Sequence, residues 1–103
     1  MEQSEKSKTV AERERQRCEV YYAGRVQGVG FRYTVRSLAA GFPVTGFVRN
    51  VSDGRVHLVV EGDDDEIDLF LDAVQTEMQH YIRDVQQTRQ PAGGQFHSFE
   101  IRH

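Results

Sequence analysis

The chain has 103 residues, the usual size of one domain, and its 13 basic and 16 acidic residues give a formal net charge of −3. A net negative charge disfavours binding to nucleic acids or to membrane surfaces, which normally depends on clustered Lys and Arg. The single cysteine, Cys18, excludes an intrachain disulfide and a cysteine cluster for zinc, and without a long apolar run we expect a cytoplasmic protein with neither signal peptide nor membrane span.

The N-terminal half begins with a segment that is too polar to fold by itself. Residues 1–16 are almost entirely polar or charged, so we predict a disordered or frayed tail there and a folded domain over 17–103. The β-branched and aromatic run CEVYYAGRV over 18–26 predicts a first strand. Apolar residues at helical spacing predict a helix over 31–42, which Gly41 would end.

The C-terminal half predicts further strands and one more helix. Residues 44–51 are typical of a second strand, and the Asp-Gly pair within 52–54 predicts a hairpin turn. The following segments predict, in order, a third strand over 55–62, a helix over 63–78, a weaker strand over 83–90 and a short terminal strand over 97–103.

This order, β-α-β-β-α-β, predicts an α+β fold of the ferredoxin-like type. Such a fold has an antiparallel sheet of four to five strands with two helices on one face. The helical crossover makes the first and second strands parallel, with the third strand between them. Both strands then end at the same edge of the sheet. We therefore expect the turn after the first strand, the start of the first helix and Asn50 to converge.

The turn GRVQGVGFR, over residues 24–32, has three glycines and two arginines between a predicted strand and a predicted helix. Its free main-chain N–H groups and the helix dipole suit an anion, and Arg32 in the first helical turn could bind two phosphate oxygens with its forked guanidinium. The Walker A and dinucleotide motifs do not match, because Gly30 is followed by Phe31 and the third glycine is missing. On composition alone, a tight connection with a solvated arginine explains the same turn.

Two longer motifs make the pattern specific. The stretch from Val26 to Arg32 matches V-Q-G-V-x-F-R, the stretch from Gly46 to Gly54 matches G-[WFY]-V-x-N-x-x-D-G, and Phe99 to Arg102 matches F-x-I-R. With these motifs the chain resembles the acylphosphatase family from about residue 18 onwards. The resemblance implies a small, ferredoxin-like enzyme that needs no metal or cofactor and hydrolyses the carboxyl–phosphate bond of acyl phosphates.

The resemblance also implies the roles of single residues. Arg32 and Asn50 are the expected catalytic residues, because the family's arginine binds the phosphate and its asparagine holds the attacking water. The expected phosphate-binding set, with main-chain amides over 25–30, comprises Arg25, Val26, Gln27, Gly28, Val29, Gly30 and Arg32. The expected partners are a small acyl phosphate and phosphate, with no nucleic acid and no membrane, for a monomeric protein.

One segment departs from the family pattern. Many members have a Gly-Pro turn after the second helix, whereas the stretch EMQHYIRDV over 77–85 contains neither residue. The structure of 79–83 is therefore open, and we expect this segment to lie away from the proposed site.

A non-catalytic binding module is the alternative function. An RNA-recognition domain has the same order of elements, and GVGFRYTV over 28–35 resembles one of its motifs. Here, however, that stretch begins a helix, and the predicted third strand carries no aromatic residue. A module that binds a phosphate ligand without turnover would need Arg32 but no residue to hold water. The presence of Asn50 therefore favours hydrolysis over phosphate binding without turnover, although asparagine is also a common residue before a hairpin turn.

Overall fold

Two helices pack on one face of a five-stranded sheet in the computed structural model, which describes residues 15–103. The elements are β1 (Gln16–Gly24), α1 (Phe31–Ala39), β2 (Thr45–Asn50), β3 (Val56–Gly62), α2 (Asp64–Met78), β4 (Ile82–Pro91) and β5 (Phe99–Arg102). The predicted ferredoxin-like α+β fold is confirmed. Neither described helix is long and apolar enough to cross a membrane.

The predicted tail over 1–16 lies outside the described residues except for its last two. Of these, Gln16 already belongs to β1, where it pairs with Gly62 of β3 and Pro91 of β4. The Arg15 carbonyl accepts a hydrogen bond from the Ala92 N–H at 2.9 Å. Ordered pairing therefore begins slightly before the predicted domain boundary.

The strands are arranged in the order β4-β1-β3-β2-β5. As predicted, β3 lies between β1 and β2 and is antiparallel to both, so β1 and β2 are parallel and end at the same edge. The pair β2–β5 is parallel, which makes the sheet mixed and corrects the expectation of an antiparallel one. The reason is the connection over residues 92–98, which returns the chain to the end of the sheet where β2 begins. There the Gly46 N–H donates to the Ser98 carbonyl at 2.9 Å.

The core lies between the sheet and the two helices. Alternate residues of β1 and β3 face the helices and meet buried side chains of α1 and α2 (Cys18, Val20, Tyr22, Val56, Leu58, Val60, Phe31, Val35, Ile67, Phe70, Val74). Each buried Val, Leu or Phe stabilises the fold by about 1.5–3 kcal/mol relative to exposure. Because α1 uses Phe31 and Val35 to contact the core, its other faces remain available at the surface.

The opposite face of the sheet does not offer the open aromatic platform that an RNA-recognition domain uses. The Arg55 guanidinium lies 4.3 Å from the centroid of the Tyr21 ring, and that of Arg102 lies 4.0 Å from the centroid of Phe47. His57, the central ring of β3, is buried and stacked on Tyr21. Burial, followed by the nearby Arg49 guanidinium, lowers the pKa of His57, which favours a neutral ring. The rings are thus occupied by neighbouring side chains of this protein.

Candidate active site

A small cavity opens at the edge of the sheet where β1 and β2 end. Its volume is about 110 Å³, and its lining residues are Val26, Gly28, Gly30, Phe31, Arg32, Tyr33 and Asn50. We call it the edge cavity. The loop after β1, the first turn of α1 and the last residue of β2 all contribute to it. The predicted convergence of the glycine-rich turn, Arg32 and Asn50 is therefore confirmed.

Main-chain N–H groups provide much of the polar character of this loop. Within residues 15–103, the N–H groups from Val26 to Tyr33 have no hydrogen-bond acceptor, and the first helical bond runs from the Thr34 N–H to the Gly30 carbonyl at 3.0 Å. No acidic residue lies in the first turn of α1 to neutralise the positive end of the helix dipole. Successive unpaired amides at a helix start form a concave site that favours an anion.

Two glycines give the loop its shape. Gly28 has φ of 80° and Gly30 has φ of 79°, a left-handed conformation that strains any residue with an L side chain. A Cβ atom built at either position would have no neighbouring atom within 4 Å. The requirement for glycine therefore comes from the backbone conformation and not from a lack of space.

The Arg25 N–H is not one of the free main-chain amides of this loop. The Arg25 N–H donates to the Tyr81 carbonyl at 2.9 Å, so the run of free amides begins at Val26 and not at residue 25 as predicted. Tyr81 lies in the turn between α2 and β4, which a hydrogen bond from the Tyr81 N–H to the Met78 carbonyl closes at 2.9 Å without a Gly-Pro pair. Residues 79–83, which we expected to lie away from the site, therefore contact the start of the loop through the Tyr81 carbonyl.

The Arg32 guanidinium is held at one side by the end of β5. Its Nη1 donates to the Arg102 carbonyl at 3.3 Å and lies 3.3 Å from Nδ1 of His103. A guanidinium has five N–H donors in a planar fork, so donors remain for an anion in the edge cavity. The contact to β5 restricts the side chain before any ligand arrives.

Gln27 connects the loop to the β2–β3 hairpin. Its Nε2 donates to the carbonyls of Val51 at 2.8 Å and Arg55 at 2.9 Å. Gln27 was predicted to bind phosphate, and only its main-chain N–H is available for that role. Asn50 directly precedes Val51, so the Gln27 side chain fixes the loop relative to Asn50. The Asn50 carboxamide has no hydrogen-bond partner among residues 15–103.

Acidic side chains at the start of α2 form ion pairs with β4 and do not form a metal site with other described residues. Arg89 binds Asp64 at 2.9 Å and also contacts Asp68. Among the described residues, no three His, Cys, Asp or Glu side chains are grouped so that they could hold a metal ion. The Asp-rich stretch is therefore explained by the helix dipole and by its ion pairs with β4.

A comparison with known families decides what kind of protein has this geometry. The sequence model of the acylphosphatase family matches residues 18–101. The chain belongs to the acylphosphatase family. Its members are hydrolases that act on acyl phosphates, and the protein is a hydrolase of this class.

Individual acylphosphatases agree with this assignment. The chain is 41% identical over 86 residues to an acylphosphatase of Methanocella arvoryzae, covering 82% of this chain and 96% of that protein. It is 45% identical to one of Archaeoglobus fulgidus over a shorter stretch of 58 residues, 56% of this chain and 65% of the relative. The crystal structure of acylphosphatase from Bacillus subtilis superposes with a TM-score of 0.77 at 31% identity, covering 85% of this chain and 99% of that one.

The connection made by Gln27 can be tested by its effect on stability. Gln27→Ala removes two hydrogen bonds between the loop and the hairpin, although the Val51 and Arg55 carbonyls keep their main-chain donors, so we expect the free energy of unfolding to fall by about 1–2 kcal/mol. Gln86→Ala on the exposed edge strand β4 is the matched control and should change it by less than about 0.5 kcal/mol. Urea unfolding followed by circular dichroism measures both, and an equal effect of the two substitutions would contradict the proposed connection.

Proposed function

We propose that the protein hydrolyses the carboxyl–phosphate bond of acyl phosphates at the edge cavity, releasing a carboxylate and inorganic phosphate without a metal ion. The main support is the meeting of three features in one cavity: the free amides that begin at Val26, the Arg32 guanidinium and the Asn50 carboxamide. Family membership supports the same class of reaction.

The amides and Arg32 would bind the phosphoryl group. In phosphoryl transfer the transition state is loose, and negative charge is spread over three equatorial oxygens. Donors that are already fixed around this position stabilise the charge without reorganising during the reaction. The loop that carries the free amides and Arg32 both line the edge cavity, and the guanidinium, restrained by the end of β5, would supply paired N–H donors.

Asn50 would orient the attacking water. Its carboxamide oxygen can accept a hydrogen bond from water and hold the water oxygen in line with the bond to be broken. That oxygen then bonds to phosphorus, while the bond from phosphorus to the acyl oxygen breaks and its electron pair leaves with the carboxylate. The water protons pass to the phosphate and to solvent. A carboxylate whose acid has a pKa of about 4–5 departs without protonation, so no general acid is needed.

The decisive experiment uses benzoyl phosphate in buffer that contains EDTA and water labelled with ¹⁸O. We expect turnover well above the buffer rate, competitive inhibition by inorganic phosphate, and label in the phosphate product and not in benzoate. Label in benzoate would show attack on the carbonyl carbon and overturn the mechanism. Activity that disappears on chelation and returns with a metal ion would overturn metal independence.

The same experiment tests the alternative of a phosphate-binding module. Such a module would bind inorganic phosphate and leave benzoyl phosphate to decay at the buffer rate. Equilibrium binding of phosphate, measured by calorimetry alongside the turnover assay, distinguishes this outcome from an unfolded or inactive preparation.

A further inference from the structure

A larger depression lies beside the edge cavity, along α1. Its volume is about 540 Å³, and its lining includes Tyr33, Arg36 and Ser37 of α1 together with Phe42 and Phe99. We call it the α1 groove. Tyr33, which is 62% exposed, lines both the groove and the edge cavity. A group attached to a phosphoryl in the edge cavity can therefore extend across Tyr33 into the groove.

Arg36 is the charged residue of this groove, and it packs on Tyr33, the residue that the groove shares with the edge cavity. Its guanidinium carbon lies 5.5 Å from the centroid of the Tyr33 ring, one helical turn closer to the start of α1. Within residues 15–103, Arg36 has no carboxylate partner. Stacking on Tyr33 holds the guanidinium in position while leaving its N–H donors available.

Arg32 and Arg36 are four residues apart on α1, so they follow one another along the same face of the helix. Their Cα atoms are separated by about 6 Å along the helix axis. Two arginines on successive turns of one helix face suit a molecule with an anionic group at each end. Glu77 lines a neighbouring depression that shares Tyr33 and Ser37 with the α1 groove, but no acidic residue among those that the structure describes lines the α1 groove itself. The favourable path for a second anion is therefore the α1 groove.

We propose that the α1 groove binds the acyl part of the substrate and that Arg36 selects acyl phosphates carrying a second anionic group at the far end of the acyl part. This inference rests on the proposed hydrolysis at the edge cavity. The rings of Tyr33, Phe42 and Phe99 contact the carbon body of the acyl group, and a distal carboxylate or phosphate pairs with Arg36. An acyl group with a distal cation is repelled by the same residue.

Two substrates of nearly equal size isolate the distal charge. The preference is defined as kcat/KM for 4-carboxybenzoyl phosphate divided by that for 4-methylbenzoyl phosphate. We expect Arg36→Ala to lower this preference about fivefold, mainly through KM, which is the upper range for exposed ion pairs. Arg36→Glu should lower it further, because repulsion replaces attraction. Arg83→Ala removes the same charge from β4, the outer strand on the side of the sheet opposite β5, and should leave the preference unchanged.

The outcomes separate this inference from the proposed function. If the wild type hydrolyses 4-methylbenzoyl phosphate and Arg36→Ala keeps the wild-type preference, the selective role of Arg36 is wrong and the proposed function stands. The selective role is also wrong if Arg36→Ala lowers kcat/KM equally for both substrates, since that is the signature of a structural defect in α1. If the wild type hydrolyses benzoyl phosphate but neither of these compounds, the groove does not take the acyl part and this inference is wrong; if it hydrolyses none of the three, both proposals are wrong.

Discussion

Replacing Arg32 with alanine is expected to reduce kcat/KM for benzoyl phosphate by about 10³–10⁵-fold, the range over which an arginine acts on phosphoryl transfer. Arg32 is the guanidinium that lines the edge cavity, and the loop amides alone would leave part of the transition-state charge unbalanced. Inorganic phosphate should lose its inhibition as well. Initial rates in a coupled phosphate assay measure both quantities.

Two companion variants make this result specific. Arg32→Lys retains the charge but not the fork that binds two oxygens, so we expect it to recover only part of the loss. Arg83→Ala, an exposed arginine on β4, should retain full turnover. Arg32→Ala activity within tenfold of the wild type would contradict the assigned role, provided that both proteins show the same melting temperature.

Replacing Asn50 with alanine should have the second-largest effect, but of a different kind. We expect kcat to fall by about 10²–10³-fold, similar to the loss of one positioned donor in other hydrolytic enzymes. The inhibition constant of inorganic phosphate should change by less than about threefold, because the amides and Arg32 remain in place and Asn50 is assigned to the water. Steady-state kinetics with phosphate as the inhibitor give both values.

The contrast between the two substitutions defines the role of Asn50. Equal loss of kcat and of phosphate inhibition in Asn50→Ala would mean that Asn50 binds the phosphoryl group itself. Gln86→Ala removes a carboxamide from the exposed edge of the sheet and serves as the control for that change. It should match the wild type in both measurements.

Much of the fold follows from local patterns in the sequence. Strand β1 alternates buried and half-buried residues because one face meets the helices, β3 is buried along its whole length as the central strand, and α2 repeats its apolar residues at helical spacing. By contrast, β4 has a weak pattern because it is an edge strand whose side chains after Ile82 are exposed. The direction of β5 has no local signal at all. It depends on the end of the sheet to which the 92–98 connection returns.

In the proposed site, too, some features could be predicted from the sequence and others could not. The meeting of Arg32 and Asn50 could be predicted, because the parallel direction of β1 and β2 follows from the helical crossover between them. The contacts of Arg25, Gln27 and Arg32 with carbonyls of Tyr81, the hairpin and β5 could not. Their acceptors are main-chain carbonyls, which every residue has, so residue types and spacing reveal nothing about them.

The left-handed conformation of Gly28 and Gly30 has a consequence for chemical redesign. Since the sign of φ excludes ordinary residues at these two positions, D-alanine, whose preferred angles are the mirror image, should adopt the same backbone conformation without strain. A semisynthetic protein with D-alanine at either position would keep the amide directions while making the loop stiffer than glycine allows. The positive φ at two positions, and not the size of a side chain, thus excludes L residues from this loop.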